Sequence, residues 1–353
     1  MKKIFNSMNR VKSIEVRNPK KISQLLAEMG ETGFQGRKLA EVVDVWEKMI
    51  IDPNVTILMG YAGSLSTTGQ SKIVKWLIEN HFIDILVPTG ANISEDIVEA
   101  MGFSYWQGSH LVDDAHLLKN DINRYYDVFG KESDYMKMIE LIVEFILTLR
   151  DGHAYNSREF LYQFGKWLSK KGIESIVATA AENKVPIYCP AIVDSPYGDA
   201  SLIAKSKGFN LVIDQVRDFS EFMGIAEKVR ETGVIYIGGG VPKDFIQLLC
   251  VSSPLQNPDL KLRKRKGGVH ISTNEHYYPH KYAIQITTDS PQWGGLSGCT
   301  FEEAVSWGKE DPDGKNVQCY CDATIALPLV AHALAERVKI KRKTTDFSWL
   351  FEK

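Results

Sequence analysis

Two groups of residues in this chain have the types and spacing for covalent chemistry on an amine. The first is a lysine set behind an aromatic and a glycine, Ser306-Trp307-Gly308-Lys309. A lysine attacks carbon only as the neutral amine, and burial against apolar or aromatic surface disfavours the ammonium form. Trp307 could supply such a wall, with Gly308 as the joint; a lysine after a glycine is equally what a surface turn looks like. The second group is acidic. Asp194 and Asp199 flank Ser195-Pro196-Tyr197-Gly198, and Glu302 and Glu303 precede Trp307. Carboxylates there could hold an ammonium-bearing substrate through charge-assisted hydrogen bonds, or be ordinary loop and helix-start acids.

A third feature suits a phosphate-bearing ligand. Gly60-Tyr61-Ala62-Gly63 lets backbone approach closely, and Ser64, Ser66, Thr67 and Thr68 add hydroxyl donors. The run is not the G-x-G-x-x-G dinucleotide fingerprint.

The elements that must position these groups read as an α/β fold. Strand-length apolar runs at Val55–Met59, Phe82–Val87, Val185–Tyr188, Leu211–Asp214, Val234–Ile237, Tyr282–Ile286 and Val317–Tyr320 alternate with helical stretches. Helices are expected from about Gln70 to Glu79, from near Ser94 and from Tyr135 to Leu149. Short apolar runs bounded by Gly and Pro and separated by helices predict one doubly wound, mostly parallel sheet with helices on both faces. Such a sheet binds ligands at the carboxyl ends of its strands. The polar loops Gly60–Gly69, Thr89–Glu95, Asp194–Asp199, Gly238–Gly240 and Asp322-Ala323 all fall there.

The 353 residues carry a net charge of -2, with 44% hydrophobic and 24% charged side chains. That balance gives no basic field for nucleic acid. The start Met1-Lys2-Lys3-Ile4-Phe5-Asn6 lacks the apolar core of a signal peptide, and Lys137, Glu140 and Glu144 interrupt the most apolar helix. A cytoplasmic protein without a membrane span is expected. Cys189, Cys250, Cys299, Cys319 and Cys321 are odd in number and lack zinc or redox spacing, so reduced thiols and no metal are expected. The basic run Lys261–Lys266 reads as a solvated excursion or an anion patch, and His276 and His280 as surface or turn histidines.

The segment Glu303-Ala304-Val305-Ser306-Trp307-Gly308-Lys309 resembles the catalytic segment of deoxyhypusine synthases. The resemblance runs from Thr32-Gly33-Phe34-Gln35-Gly36-Arg37 through Gly238-Gly239-Gly240-Val241 to Cys321-Asp322-Ala323-Thr324. It implies one family domain over 1–353, with a helical extension at 1–50 and a surface excursion at 251–280. It also implies NAD as cofactor, held by Gly63, Ser64, Leu65, Ser66 and Thr67, by Thr89, Gly90, Ala91 and Glu95, and by Asp194, Gly239, Thr288, Asp289, Asp322 and Ala323. Spermidine would be held by Ser94, Glu95, Asp199, Asp244, Gly294, Gly295, Leu296, Glu303 and Trp307. Lys309 would form the covalent imine with the 4-aminobutyl group. A homotetramer with intersubunit active sites is implied as well.

This chain departs from the pattern on the amine side. Asp244 and Phe245 stand where eukaryotic members have two histidines, Leu248 stands for an asparagine, and Gly294-Gly295-Leu296-Ser297 lacks an aspartate. Gly63 replaces the first serine of the cofactor loop. An aspartate cannot copy a near-neutral histidine base. The run Thr288–Gly298 and Gly240-Val241-Pro242-Lys243 resemble the bacterial deoxyhypusine synthase-like branch. Two acceptors stay open: putrescine, giving homospermidine, or a lysine of the initiation factor 5A precursor, giving deoxyhypusine. Two other readings are a NAD- and polyamine-binding protein without transfer activity, and an unrelated NAD dehydrogenase.

Overall fold

A computed structural model describes residues 9–256, 263–265, 268–270, 279–342 and 344–351. Five strands form the central sheet: β1 (Val55–Tyr61), β2 (Ile85–Pro88), β3 (Glu231–Ile237), β4 (His280–Thr287) and β5 (Glu310–Tyr320). Their order is β5-β4-β3-β1-β2, and every pair is parallel. The chain steps one way from β1 to β2, then returns to the other side of β1 for β3. The order therefore reverses at β1, the topological switch point where open parallel sheets form their ligand crevice.

Both faces are covered. Five helices matter most: α1 (Phe34–Ile51), α2 (Gly90–Ala100), α3 (Gly240–Ser252), α4 (Phe301–Ser306) and α5 (Ala323–Arg337). Along β1, Ile57 and Met59 face a core that includes Val42, Trp46 and Met49 of α1 and Leu327 and Val330 of α5. Leu58 turns to the other face, where Phe245, Ile246 and Leu249 of α3 cover it with Tyr236 of β3. A side chain the size of leucine or phenylalanine contributes about 1.5–3 kcal/mol when fully buried. Such residues on both faces hold the sheet edge rigid enough to carry a site.

The expected doubly wound α/β fold is present, with corrections in detail. The run Phe82–Val87 becomes a strand only from Ile85, since Phe82 and Ile83 are core residues of the approach to it. Val185–Tyr188 lies along β2 through a single bridge, Leu86 to Ile187, with Leu86 N donating to Pro186 O and Tyr188 N to Leu86 O. Leu211–Asp214 does not join the main sheet: Val212–Ile213 pairs with Ala154–Tyr155 in a separate two-stranded ribbon. An antiparallel three-stranded sheet, Trp106–Gln107, Val128–Lys131 and Ile122–Tyr125, was not expected. Of the run Lys261–Lys266 only Arg263–Arg265 is described, as a short strand paired with Gly268–His270, and the rest lies outside the described residues, as does His276. No helix among the described residues is long and apolar enough to cross a membrane.

Candidate active site

The lysine is delivered by helix α4. Thr300 caps its start, accepting from Glu303 N at 3.1 Å. Its end is set by Gly308, whose φ of 77° is left-handed and closes the helix without steric cost. Gly308 N donates to Val305 O and Lys309 N to Ala304 O. Lys309 then stands at the mouth of β5, its carbonyl accepting from His280 N at 3.1 Å. Its side chain is 12% exposed, and Nζ donates to Asp244 Oδ1 of α3 at 2.9 Å. The Trp307 ring centroid is 5.8 Å from that nitrogen. Trp307 itself is 61% exposed, so it walls the amine on one side only.

Beneath this pair lies a buried polar layer. Glu310, next to Lys309 in the chain, is fully buried and accepts from Gln247 Nε2 at 3.3 Å. Burial pushes its carboxyl up to about 8, against the pull of Gln247 and of the nearby Lys243 and Lys309. Lys243 is also fully buried, and burial lowers its ammonium to about 8. It donates to Gln285 Oε1 at 2.9 Å and to Cys299 O at 2.7 Å, between the Tyr236 and Phe301 rings. His280 is fully buried, not a surface histidine: its Nδ1 lies 2.7 Å from Thr232 Oγ1, and burial lowers it to about 3.

The second half of the site is built at the ends of β1 and β2. Asn92 of α2 is its organiser. Asn92 Oδ1 accepts from Leu65 N at 3.0 Å and Ser66 N at 3.3 Å, while Nδ2 donates to Thr89 Oγ1 at 3.1 Å and to Gly63 O. Ser66 Oγ donates to Asn92 O at 2.7 Å, and Thr67 Oγ1 to Ser64 O at 2.8 Å. The loop Gly63–Thr67 is thereby clipped to the start of α2 beside Thr89, Gly90 and Ala91. Ser64 Oγ donates to Glu95 Oε2 at 2.7 Å. Burial raises Glu95 to about 7, partly offset by that bond. Ser94 is buried and spends its hydroxyl on Ala91 O.

The remaining predicted residues line the same edge. Gly239 follows β3 and packs so closely on Ser297 that a Cβ would collide with it; this holds the Gly294-Gly295-Leu296 segment over the start of α3. Thr288 and Asp289 follow β4 and are exposed. Asp322 caps α5, accepting from Thr324 N at 2.7 Å beside Ala323. Asp194 and Asp199 are exposed around the start of the helix Pro196–Ser206. Burial first, then the charges of Glu95, Asp199 and Glu132, push the Tyr135 phenol up to about 12. Glu303 is exposed on α4 with Trp307. Two groups thus emerge: Lys309, Asp244, Trp307 and Glu303 at one end, and Glu95 with the clipped loop at the other. Among the described residues no hydrogen bond or ion pair joins them within the chain. Asn92, Lys243, Gln247 and Glu310 were not singled out from sequence; the one available signal was polar residues inside runs that the helix period makes interior.

A parallel sheet whose order reverses at β1, with a hydroxyl-rich cradle at that point, is an α/β fold of the kind that binds ligands at its strand ends, and Lys309 is a sheltered amine at the start of β5. The deoxyhypusine synthase family model matches residues 24–334. A Methanosarcina acetivorans protein named "Probable deoxyhypusine synthase 2" is 44% identical over 95% of this chain and 93% of its own length. The Archaeoglobus fulgidus protein of that name is 47% identical over 87% of this chain and 95% of its own. A "Deoxyhypusine synthase-like protein" of Chlorobaculum tepidum is 35% identical over 87% and 84%. A solved Entamoeba histolytica structure assigned to deoxyhypusine synthase matches the fold with a TM-score of 0.63 at 17% identity, over 96% of this chain and all of that one. The chain belongs to the deoxyhypusine synthase family, and is a transferase of that type.

Proposed function

We propose that this protein moves the 4-aminobutyl group of spermidine through an imine on Lys309 to an acceptor amine, with NAD as a retained cofactor. The observation that carries the reading is the sheltered Lys309 amine, 2.9 Å from Asp244 on the helix opposite. The residues present fit a dinucleotide: the backbone of the Asn92-clipped loop is free of side-chain bulk at Gly63, and Gly90 opens α2 with its N–H groups toward the crevice. NAD, when bound there, supplies the hydride acceptor for the carbon beside the secondary amine and the donor that later restores it.

The chain's own residues do the rest. Lys309 must lose a proton to attack, and Asp244 is the carboxylate in contact to receive it. Lys309 nitrogen bonds to the oxidised carbon, the carbon–nitrogen bond to the departing diamine breaks, and 1,3-diaminopropane leaves with the proton. The acceptor nitrogen then displaces Lys309, which regains its proton. Glu95, Asp199 and Glu303 hold the ammonium ends of the amines. Among the described residues no hydrogen bond or ion pair joins Lys309 to Glu95, and we infer that each site completes at a subunit contact of a homotetramer; a cytoplasmic location is part of the same reading.

The acceptor is a small diamine in this reading. Asp244 in place of a histidine and the loss of an acid at Leu296 alter the amine side, while on the cofactor side the departure from the family pattern is Gly63. Incubation with NAD and spermidine, followed by putrescine or the initiation factor 5A precursor, tests it by polyamine separation. Homospermidine is expected; label on the factor precursor would replace the acceptor assigned here. Absence of diaminopropane with both would leave a NAD- and polyamine-binding protein without transfer, and free NADH in solution would indicate a dehydrogenase.

A further inference from the structure

Around the root of Lys309 the fold buries four side-chain atoms that have no hydrogen-bond partner among the described residues: Tyr236 Oη, Gln247 Oε1, His280 Nε2 and Glu310 Oε2. Each such atom costs about 1–3 kcal/mol when left unpaired. Two of them belong to one pair. Gln247 Nε2 donates to Glu310 Oε1, which leaves one oxygen of each residue bare, and an ionised carboxylate offers neither a donor. A proton on Oε2 supplies it: the acid donates to the amide oxygen as the amide donates to the acid.

We propose that Glu310 is a positioning residue for Lys309, working as a neutral carboxylic acid paired reciprocally with Gln247. The proposal rests on Lys309 as the nucleophile. The groups facing Glu310 are Lys243 and Cys250 on α3, Tyr236 on β3, His280 on β4 and Lys309, its neighbour in the chain. None of the cations bonds to it: Lys243 donates to Gln285 and Cys299, and Lys309 to Asp244. Ionisation would therefore leave a carboxylate buried without a contact ion, and burial holds its proton to about 8. The consequence falls on the nucleophile. A second carboxylate under Lys309 would favour the ammonium form, whereas a neutral acid anchors the strand without doing so. Proton transfer from Lys309 is left to Asp244, on the open side.

The test uses a small aldehyde with cyanoborohydride, which labels Lys309 without NAD or spermidine, with the site read by peptide mass. Glu310→Gln keeps the reciprocal pairing as an amide–amide dimer and cannot ionise. It is expected to fold and to label like the native chain at pH 7. At pH 9, where native Glu310 is ionised, the variant should label about tenfold faster, the factor that 1.4 kcal/mol of charge interaction gives. Loss of labelling at pH 7 in a folded Glu310→Gln protein would mean that the carboxylate itself is needed, and overturn the proposal; so would identical pH profiles. Difference infrared spectra read Glu310 independently of Lys309: a protonated-carboxyl band at pH 7 that vanishes in Glu310→Gln is expected, and its absence overturns the proposal. Native protein that resists labelling while showing that band would instead refute Lys309 as nucleophile.

Discussion

The two ends of the site are built on opposite principles. At the Asn92 end the clipped loop itself is tied by hydrogen bonds, and the buried atoms without partners among the described residues, Tyr61 Oη, Gln70 Oε1 and Ser71 Oγ, lie just outside Gly63–Thr67. One amide ties Leu65, Ser66, Thr89 and Gly63 together, and Ser64 reaches on to Glu95. At the Lys309 end, an ion pair sits on top of four buried atoms without partners among the described residues, two of which the proton proposed on Glu310 would pair. A satisfied network is rigid and has one arrangement, which suits a binding cradle in the function proposed here. An unsatisfied, titratable layer changes its hydrogen bonds when a proton moves, which suits a nucleophile that must lose and regain one. The contrast predicts that substitutions will act on binding and stability at one end and on chemistry at the other.

The largest effect belongs to Lys309. Lys309→Ala should retain NAD affinity and abolish the borohydride-trapped adduct, with turnover down by at least about a thousandfold, as for other covalent nucleophiles. A trapped adduct in the alanine variant would assign the chemistry to another amine. Next comes Asn92→Ala. It strands two buried backbone N–H groups of the loop, each costing about 1–3 kcal/mol, so thermal stability and NAD affinity should fall together while Lys309 still labels with a small aldehyde. An Asn92→Ala protein that binds NAD normally would show that the clip is structural only.

The Glu95 carboxyl sharpens the comparison through pH. Its proton is held to about 7 by burial, so the ionised form that holds an ammonium is present above pH 7 and lost as pH falls below it. Spermidine affinity should therefore drop from pH 8 to pH 6 by up to about tenfold, one pH unit below the midpoint. Glu95→Gln should bind more weakly and flatten that dependence. An unchanged profile in the glutamine variant would move the titrating group elsewhere.

Much of this is legible in the sequence. The parallel sheet followed from runs such as Val55–Met59 and Val234–Ile237, because strands buried on both faces are apolar throughout. The loops at their ends followed from that topology. What was not legible depended on long-range partners. Asn92 reads as one more polar residue in a helix start until the loop 27 positions earlier folds onto it. His280 follows a polar stretch, and only its pairing with Glu310 across β4 and β5 shows it to be interior. The run Leu211–Asp214 reads as a strand, but its pairing with Ala154–Tyr155 outside the main sheet depends on a partner about 58 residues away, and the hairpin strands near Trp106 are too short and too exposed for periodicity to find them.

The smallest expected effect is at Asp244, where the two principles meet. Its side chain is 38% exposed, so screening limits the worth of its ion pair, and Asp244→Asn should change stability by under about 1 kcal/mol. The chemistry is more sensitive than the fold. Without the facing carboxylate the ammonium form of Lys309 loses its partner, so aldehyde labelling at pH 7 should rise by roughly threefold, the factor a weak ion pair gives. Turnover of spermidine should fall in the same variant, because the group that receives the lysine proton is gone. Asp244→His restores a near-neutral base at that place and should recover turnover. Labelling and turnover that move in the same direction in Asp244→Asn would mean that Asp244 only holds the lysine in place, and the proton leaves by another route.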